Sequence, residues 1–184
     1  NKAAHEMKSR LVELMEVMHT LHGTTSYQWR QFPRIGTFHS ICLKLLKQDI
    51  AQLNQGYTSG FTIYDASGDV PALLRQIIKE LALNDIIELN VVQRTISGRK
   101  NKWWLPPHVL SHLDSQQDER IHRIYTAYQQ QLRQANALDF DDLLLLSKLL
   151  LEENASVRAH RQSHFKAILV DEAQDTNTIQ FALL

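Results

Sequence analysis

A chain of 184 residues can build one substantial core or two small ones, and its 43% apolar and 22% charged content is ordinary for a globular protein. Its 20 Lys and Arg balance 20 Asp and Glu, so there is no overall basic character of the kind that often marks nucleic-acid proteins; any positive surface must be local. The single cysteine, Cys42, excludes an internal disulfide, and no apolar run approaches the ~18 residues of a membrane span, so a cytoplasmic protein with no membrane partner is expected. There is no signal-peptide pattern. Asn1 at the start and Phe181-Ala182-Leu183-Leu184 at the end both fall in mid-pattern, which reads as a piece of a longer protein.

Taken in order, Met7, Leu11, Leu14, Met15 and Met18 share one face at helical spacing and predict a helix from His5 to Met18. A polar loop follows from Thr24 to Pro33, holding Tyr27, Trp29 and Arg30. Ile35 to Phe38 reads as a short strand giving way to a helix that Ser40 can cap and that runs to about Leu53, with Ile41, Leu45, Leu46 and Ile50 inward. Gly56 can close it in the left-handed conformation. A helix start facing a cleft offers free N–H groups to a phosphate, Thr37, His39 and Ser40 add side-chain donors, and Phe38 either stacks on a base or packs in the core.

Phe61 to Asp65 is expected to be extended. Asp69 is placed to cap a helix carrying Val70, Leu73, Leu74, Ile77, Ile78 and Leu81 inward, with Pro71 in its first turn. A further helix is predicted from Asp85 to Ile96. The stretch Ser97-Gly98-Arg99-Lys100-Asn101-Lys102-Trp103-Trp104 then reads as a loop and is the most basic and aromatic patch of the chain. It suits phosphate contacts beside a stacking platform, or else tryptophans packed on their own core. Helical spacing resumes at Ile121, Ile124, Tyr125, Tyr128 and Leu132. Asp139, Asp141 and Asp142 open another helix, where first-turn carboxylates suit the helix dipole better than a metal cluster. His108 with His112, and His160 with His164, have the i, i+4 spacing of zinc ligands but lack a third donor nearby, so surface histidines are expected.

The most informative run is Ala167-Ile168-Leu169-Val170-Asp171-Glu172. Four small or apolar residues entering two carboxylates predict a buried parallel strand with an acidic tip, where open α/β sheets bind ligands. This is the form of a Walker B element, in which one carboxylate holds Mg²⁺ on a nucleotide's phosphates and the other activates water; an acidic turn in solvent is the alternative.

Asn1-Lys2-Ala3-Ala4-His5-Glu6-Met7, Thr37-Phe38-His39-Ser40 and Val170-Asp171-Glu172-Ala173-Gln174-Asp175-Thr176-Asn177 together resemble the UvrD/Rep family of superfamily 1 DNA helicases, in the family's order and across essentially the whole chain. Asp139-Phe140-Asp141-Asp142 also has the family's wording. Ala173 departs from the residue, often aromatic, that the family has there, and the sequence contains no GxxxxGK[ST] phosphate loop. The resemblance implies an α/β, RecA-like P-loop NTPase core with a parallel sheet, formed by residues 1–60 and 138–184 and interrupted by an all-helical insertion at 61–137. It implies ATP and Mg²⁺ as cofactors, with Asp171 holding the metal, Glu172 polarising the attacking water, and Gln174 linking the γ-phosphate to the DNA-contacting elements. It implies translocation 3′ to 5′ on single-stranded DNA and duplex unwinding, in repair or replication. Asn1, Lys2, Thr37, Phe38, His39 and Ser40 are then expected on the single strand, and Arg99, Lys100 and Lys102 on duplex at a single/double-strand junction. A helicase-nuclease subunit and a non-enzymatic DNA- or partner-binding module are the rival readings. Without a phosphate loop, residues 1–184 alone are expected to be inactive as an ATPase.

Overall fold

In a computed structural model, which describes Lys2–His22 and residues 35–184, the chain divides into two compact units, Asn1–Ile41 and Cys42–Leu184. The first holds helix α1, Lys2–His22, longer than the predicted segment. Of its expected inward face, Leu11 is half-buried, whereas Met7 and Leu14 are 41% and 61% exposed; the side chains of Met15 and Met18, like the loop from Thr24 to Pro33, lie outside the described residues.

Helix α2, Phe38–Asp49, begins where the sequence suggested a strand end. Thr37, not Ser40, is its cap: Thr37 Oγ1 accepts from the Ser40 N–H at 3.3 Å, and the Ser40 hydroxyl donates back to the Thr37 carbonyl at 2.9 Å. A cap satisfies donors that the first turn leaves unpaired, which is why the helix starts at Phe38 and residues 35–37 take no regular structure. A tighter turn, Ile50–Leu53, follows, and the chain leaves it through Asn54 at φ 54° and Gly56 at φ +86°. Both lie in the left-handed region that glycine and asparagine enter most easily.

In the second unit, β1 (Thr62–Ile63) pairs in parallel with β2 (Ala137–Leu138), in the register Thr62 with Ala137 and Ile63 with Leu138. Between them run α3 (Asp69–Glu80), α4 (Leu89–Asn101), the single turn α5 (Pro106–Val109) and α6 (Gln116–Gln134). Leu74, Ile77 and Ile78 of α3, Val92 and Ile96 of α4, and Ile121, Ile124, Tyr125, Tyr128 and Leu132 of α6 form one buried cluster. The predicted stripes of α3 and α6 therefore face each other, as 3.6-residue periodicity requires. Asp69 is the first residue of α3 rather than its cap. Gly68 stands at the cap position without a side-chain bond, and Asp65 closes the turn leading into the helix, its carboxylate accepting from the N–H groups of Ser67 and Gly68 at 2.8 and 2.6 Å. Its bonds to Ser67 and to these amides hold the Asp65 carboxyl well below the usual carboxylate range.

Beyond β2, α7 (Phe140–Glu153) is buried along much of its length and packs on the turn at Ile50–Leu53, on α4 and on α8 (Ala155–His164). An Asp139–Asp142 capping box starts α7, so the first-turn acids do cap the helix. A last short helix, α9 (Thr178–Phe181), packs on α7 through the buried Ile179. The architecture is thus mostly helical, with one small parallel two-stranded sheet among the described residues.

Two expectations are corrected. The helix expected over 85–96 is α4, shifted to Leu89–Asn101, so Arg99, Lys100 and Asn101 sit in its last turn and not in a loop. Ala167–Val170 forms no strand, and Ile168 and Leu169 are 51% and 97% exposed. A doubly covered parallel strand exists only with hydrogen-bonded neighbours, and no other strand lies beside this run among the described residues.

Candidate functional site

The acidic loop that follows Val170 is a tight turn. Glu172 adopts φ +49°, a left-handed conformation unusual for a non-glycine residue, and its N–H reaches Asp171 Oδ1 at 3.1 Å. This geometry feeds directly into a single helical turn, Ala173–Asp175, tied by Asp175 N–H to the Glu172 carbonyl at 2.9 Å. The Gln174 amide donates to the Glu172 carboxylate. Asp171, Glu172 and Gln174 are thereby brought together on one exposed loop. Exposed carboxylate oxygens on such a turn are the hard donors that Mg²⁺ takes, usually one or two from protein with water and phosphate completing the shell, so Asp171 fits that ion.

The loop is followed by Asn177, which starts α9 with a capping box: its Oδ1 accepts from the Gln180 N–H at 3.0 Å, and its own N–H donates to Gln180 Oε1 at 3.1 Å. The remaining amide hydrogens of Asn177 point elsewhere, and Nδ2 donates to Asn101 Oδ1 at 3.1 Å. Asn101, the last residue of α4, was not singled out by sequence reasoning as a site residue.

The basic patch is not what the sequence suggested. Lys100 is fully buried, with Nζ 2.6 Å from Asp139 Oδ2 and 2.7 Å from Asp142 Oδ1. The Tyr128 hydroxyl donates to the same Asp139 oxygen at 2.8 Å, and Gln129 donates to Asp142 at 3.3 Å. Burial pushes the Asp139 carboxyl up, but Lys100 more than reverses this and holds it below its usual value. Burial and the Asp139 charge push Asp142 up, with Lys100 offsetting only part. One ammonium between two carboxylates has an easy assignment in physical terms: it stabilises the first and leaves the second short of charge. Arg99 is 7% exposed and paired with Asp118 at 3.0 Å. Neither cation is presented to solvent, which corrects their expected role on duplex DNA. Lys102 alone of the three is exposed, its Nζ 5.4 Å from the Trp104 ring centre.

Lys102 lies on the rim of an open groove of about 540 Å³ shared with Trp103, Trp104, His112, Lys148 and Glu152. Trp104 packs partly into the insertion core and stacks on His112 at 4.4 Å, while Lys148 lies over the Trp103 ring at 4.0 Å and pairs with Glu152. His112 Nδ1 is 2.9 Å from the Ser111 hydroxyl, and His160 and His164 meet edge to face at 4.5 Å. No group of three or more potential metal ligands occurs among the described residues.

In the other unit, the start of α2 collects Thr37, Phe38, His39 and Ser40, all half-buried. The Thr37 and Ser40 hydroxyls and the Ser40 N–H are occupied by the cap. Gly36 is required by close approach: a Cβ there would stand 2.5 Å from Ser40 Oγ. Asn1 and the Lys2 side chain lie outside the described residues.

With this geometry in place, comparison with known proteins is specific. The UvrD/REP helicase N-terminal domain family matches residues 1–184, and the chain belongs to that family. The ATP-dependent DNA helicase Rep of Salmonella typhimurium is 35% identical over 184 residues, as is Rep of Escherichia coli; the ATP-dependent DNA helicase UvrD1 of Mycobacterium tuberculosis is 35% identical over 189. All of this chain is covered in each case, and it spans about a quarter of the length of these relatives, 25%, 25% and 23%. No described helix is long and apolar enough to cross a membrane.

Proposed function

We propose that the chain is part of an ATP-dependent DNA helicase that moves 3′ to 5′ along single-stranded DNA and opens duplex, in repair or replication within the cytoplasm. The observation that carries this reading is the loop Asp171–Asn177, where a metal-suited carboxylate, a second carboxylate and an amide are held by one turn in a family member. Residues 1–60 and 138–184 are assigned to a RecA-like core, and 61–137 to a helical insertion. The parallel pairing of Thr62–Ile63 with Ala137–Leu138 supports that division, because it brings the two ends of the insertion side by side.

In this reading Asp171 holds Mg²⁺, which neutralises charge on the phosphates of ATP when bound. Glu172 accepts the proton of the attacking water, and the Gln174 amide keeps its carboxylate oriented while reaching toward the γ-phosphate. The phosphate-cradling loop that the reaction also needs is not within residues 1–184. The start of α2 meets backbone phosphates of the single strand through its N–H groups, with Phe38 and His39 against bases, and Asn1 and Lys2 are further contacts to the strand. Lys102 meets phosphate at the junction.

Glu172→Gln in the full-length protein tests the assignment, since it keeps shape and removes the base. DNA-stimulated ATP hydrolysis should fall by about two orders of magnitude or more with ATP still bound, the usual contribution of a general base. Near-normal turnover would refute the role of Glu172.

A further inference from the structure

We propose that Asn101 is a positioning residue for the Asp171–Asn177 loop, setting its place relative to insertion helix α4 through the side chain of Asn177. This rests on the helicase reading above.

The geometry is a relay of amides and one carboxylate. Asn101 Nδ2 donates to the Ser97 carbonyl one turn back at 2.9 Å and to Asp141 Oδ1, in the first turn of α7, at 3.3 Å. With both hydrogens directed there, its Oδ1 faces Asn177 and accepts from Nδ2 at 3.1 Å. The amide of Asn177 is equally committed, since its oxygen caps α9. Neither amide can flip without losing a bond at its other end. The backbone of Asn101 is fixed as well, because the adjacent Lys100 is clamped between Asp139 and Asp142. A rigid point on the insertion thus holds the exit of the loop, three residues beyond Gln174. The apolar anchor, Ile179, secures α9 against α7 but sits on the far side of the capping residue.

Energetics separate a positioning role from a stabilising one. Asn177 is exposed and Asn101 half-buried. A neutral hydrogen bond in such surroundings contributes little to folding, yet it fixes direction. Displacing a catalytic carboxylate by an ångström can cost orders of magnitude in rate.

The test uses the full-length protein. Asn177→Asp keeps the capping oxygen but removes the donor and sets a carboxylate against Asn101 Oδ1; Asn101→Leu removes the relay from the other side. Each should lower DNA-stimulated kcat about tenfold, with KM for ATP and the thermal midpoint nearly unchanged. Glu172→Gln run alongside separates the two claims. Unchanged kcat in both single variants, while Glu172→Gln abolishes hydrolysis, would overturn the role of Asn101 alone. So would losses that track a lowered thermal midpoint. Unchanged hydrolysis in Glu172→Gln would overturn the placing of the catalytic base on this loop and, with it, this role.

Discussion

Replacing Lys100 with methionine is the most demanding perturbation this fold offers. Methionine matches the aliphatic stem, so the change removes chiefly a charge at a site that is fully buried. Two carboxylates, each within 2.7 Å of the lost ammonium, would remain in its place. Breaking a buried pair by removing one partner typically costs about 3–5 kcal/mol, a third or more of the stability of an ordinary domain. Here Tyr128, Gln129 and the capping N–H groups still donate to the carboxylates, which places the expectation within that range and not above it. The pH dependence has a definite sign. In the unmodified protein Asp142 is already raised from 3.8 to about 7, so between those values the folded state binds more protons than the unfolded one and stability declines as pH rises. Asp139, lowered, contributes in the opposite sense, and its contribution is lost only as pH falls below 3.8. Without Lys100 both carboxyls rise, so the loss should be largest near pH 8 and shrink toward pH 5 as they take up protons. Urea unfolding followed by tryptophan fluorescence at both pH values measures it. A loss below about 1 kcal/mol at pH 8, or one that grows as pH falls, would refute the reasoning.

Gly36→Ala should cost about 0.5–1.5 kcal/mol, the net worth of the Ser40–Thr37 hydrogen bond that must give way, and should weaken single-strand binding through a distorted start of α2; Ser40→Ala in the same chain removes the clash but not the loss of that bond, so a binding titration should show recovery while thermal melts should not. Lys102→Ala in the full-length protein should lower the slope of log affinity against log salt on forked DNA by about one, with little change on single strands; an unaltered slope would remove Lys102 from the phosphate contacts.

Much of the helical architecture was legible because its stripes are local. Leu74, Ile77 and Ile78, and then Ile121, Ile124, Tyr125, Tyr128 and Leu132, announce a face at the right period, and each is buried. The acidic start of α7 was legible as a cap for the same reason. Lys100 was not, because Ser97 and Gly98 interrupt the apolar stripe, and lysine is almost never buried unless paired. Its spacing of four from Ile96 and eight from Val92 was the available signal, since all three share one helix face. With it the reading of Arg99 changes, and Asn101 moves from a loop to the rigid end of a helix. Helix α8 gave little signal because Val157 is its sole buried residue. At Ala167–Val170 the difficulty was of another kind. Apolar composition states that a segment is suited to a sheet, but a strand is made by hydrogen bonds to neighbours that are often distant in sequence. The carboxylates after it could be chosen from sequence; the left-handed turn at Glu172 and the amide relay behind Asn177 could not.

The parallel ribbon of Thr62–Ile63 and Ala137–Leu138 also determines how load would pass through the molecule. The chain enters the helices between the strands at one end of the ribbon and leaves them at the other, because both strands run the same way. Tension drawn along the chain across this point would slide the strands past one another instead of peeling them apart. The bonds from Thr62 N–H to the Asn136 carbonyl at 3.1 Å and from Tyr64 N–H to the Leu138 carbonyl at 2.8 Å would therefore bear it together. Asn136, at φ 47°, adds its own side chain to the joint, accepting from the Thr58 N–H at 2.9 Å and donating to the Thr58 hydroxyl at 2.8 Å. A ribbon of only two residues per strand resists as a lap joint does, failing all at once or not at all.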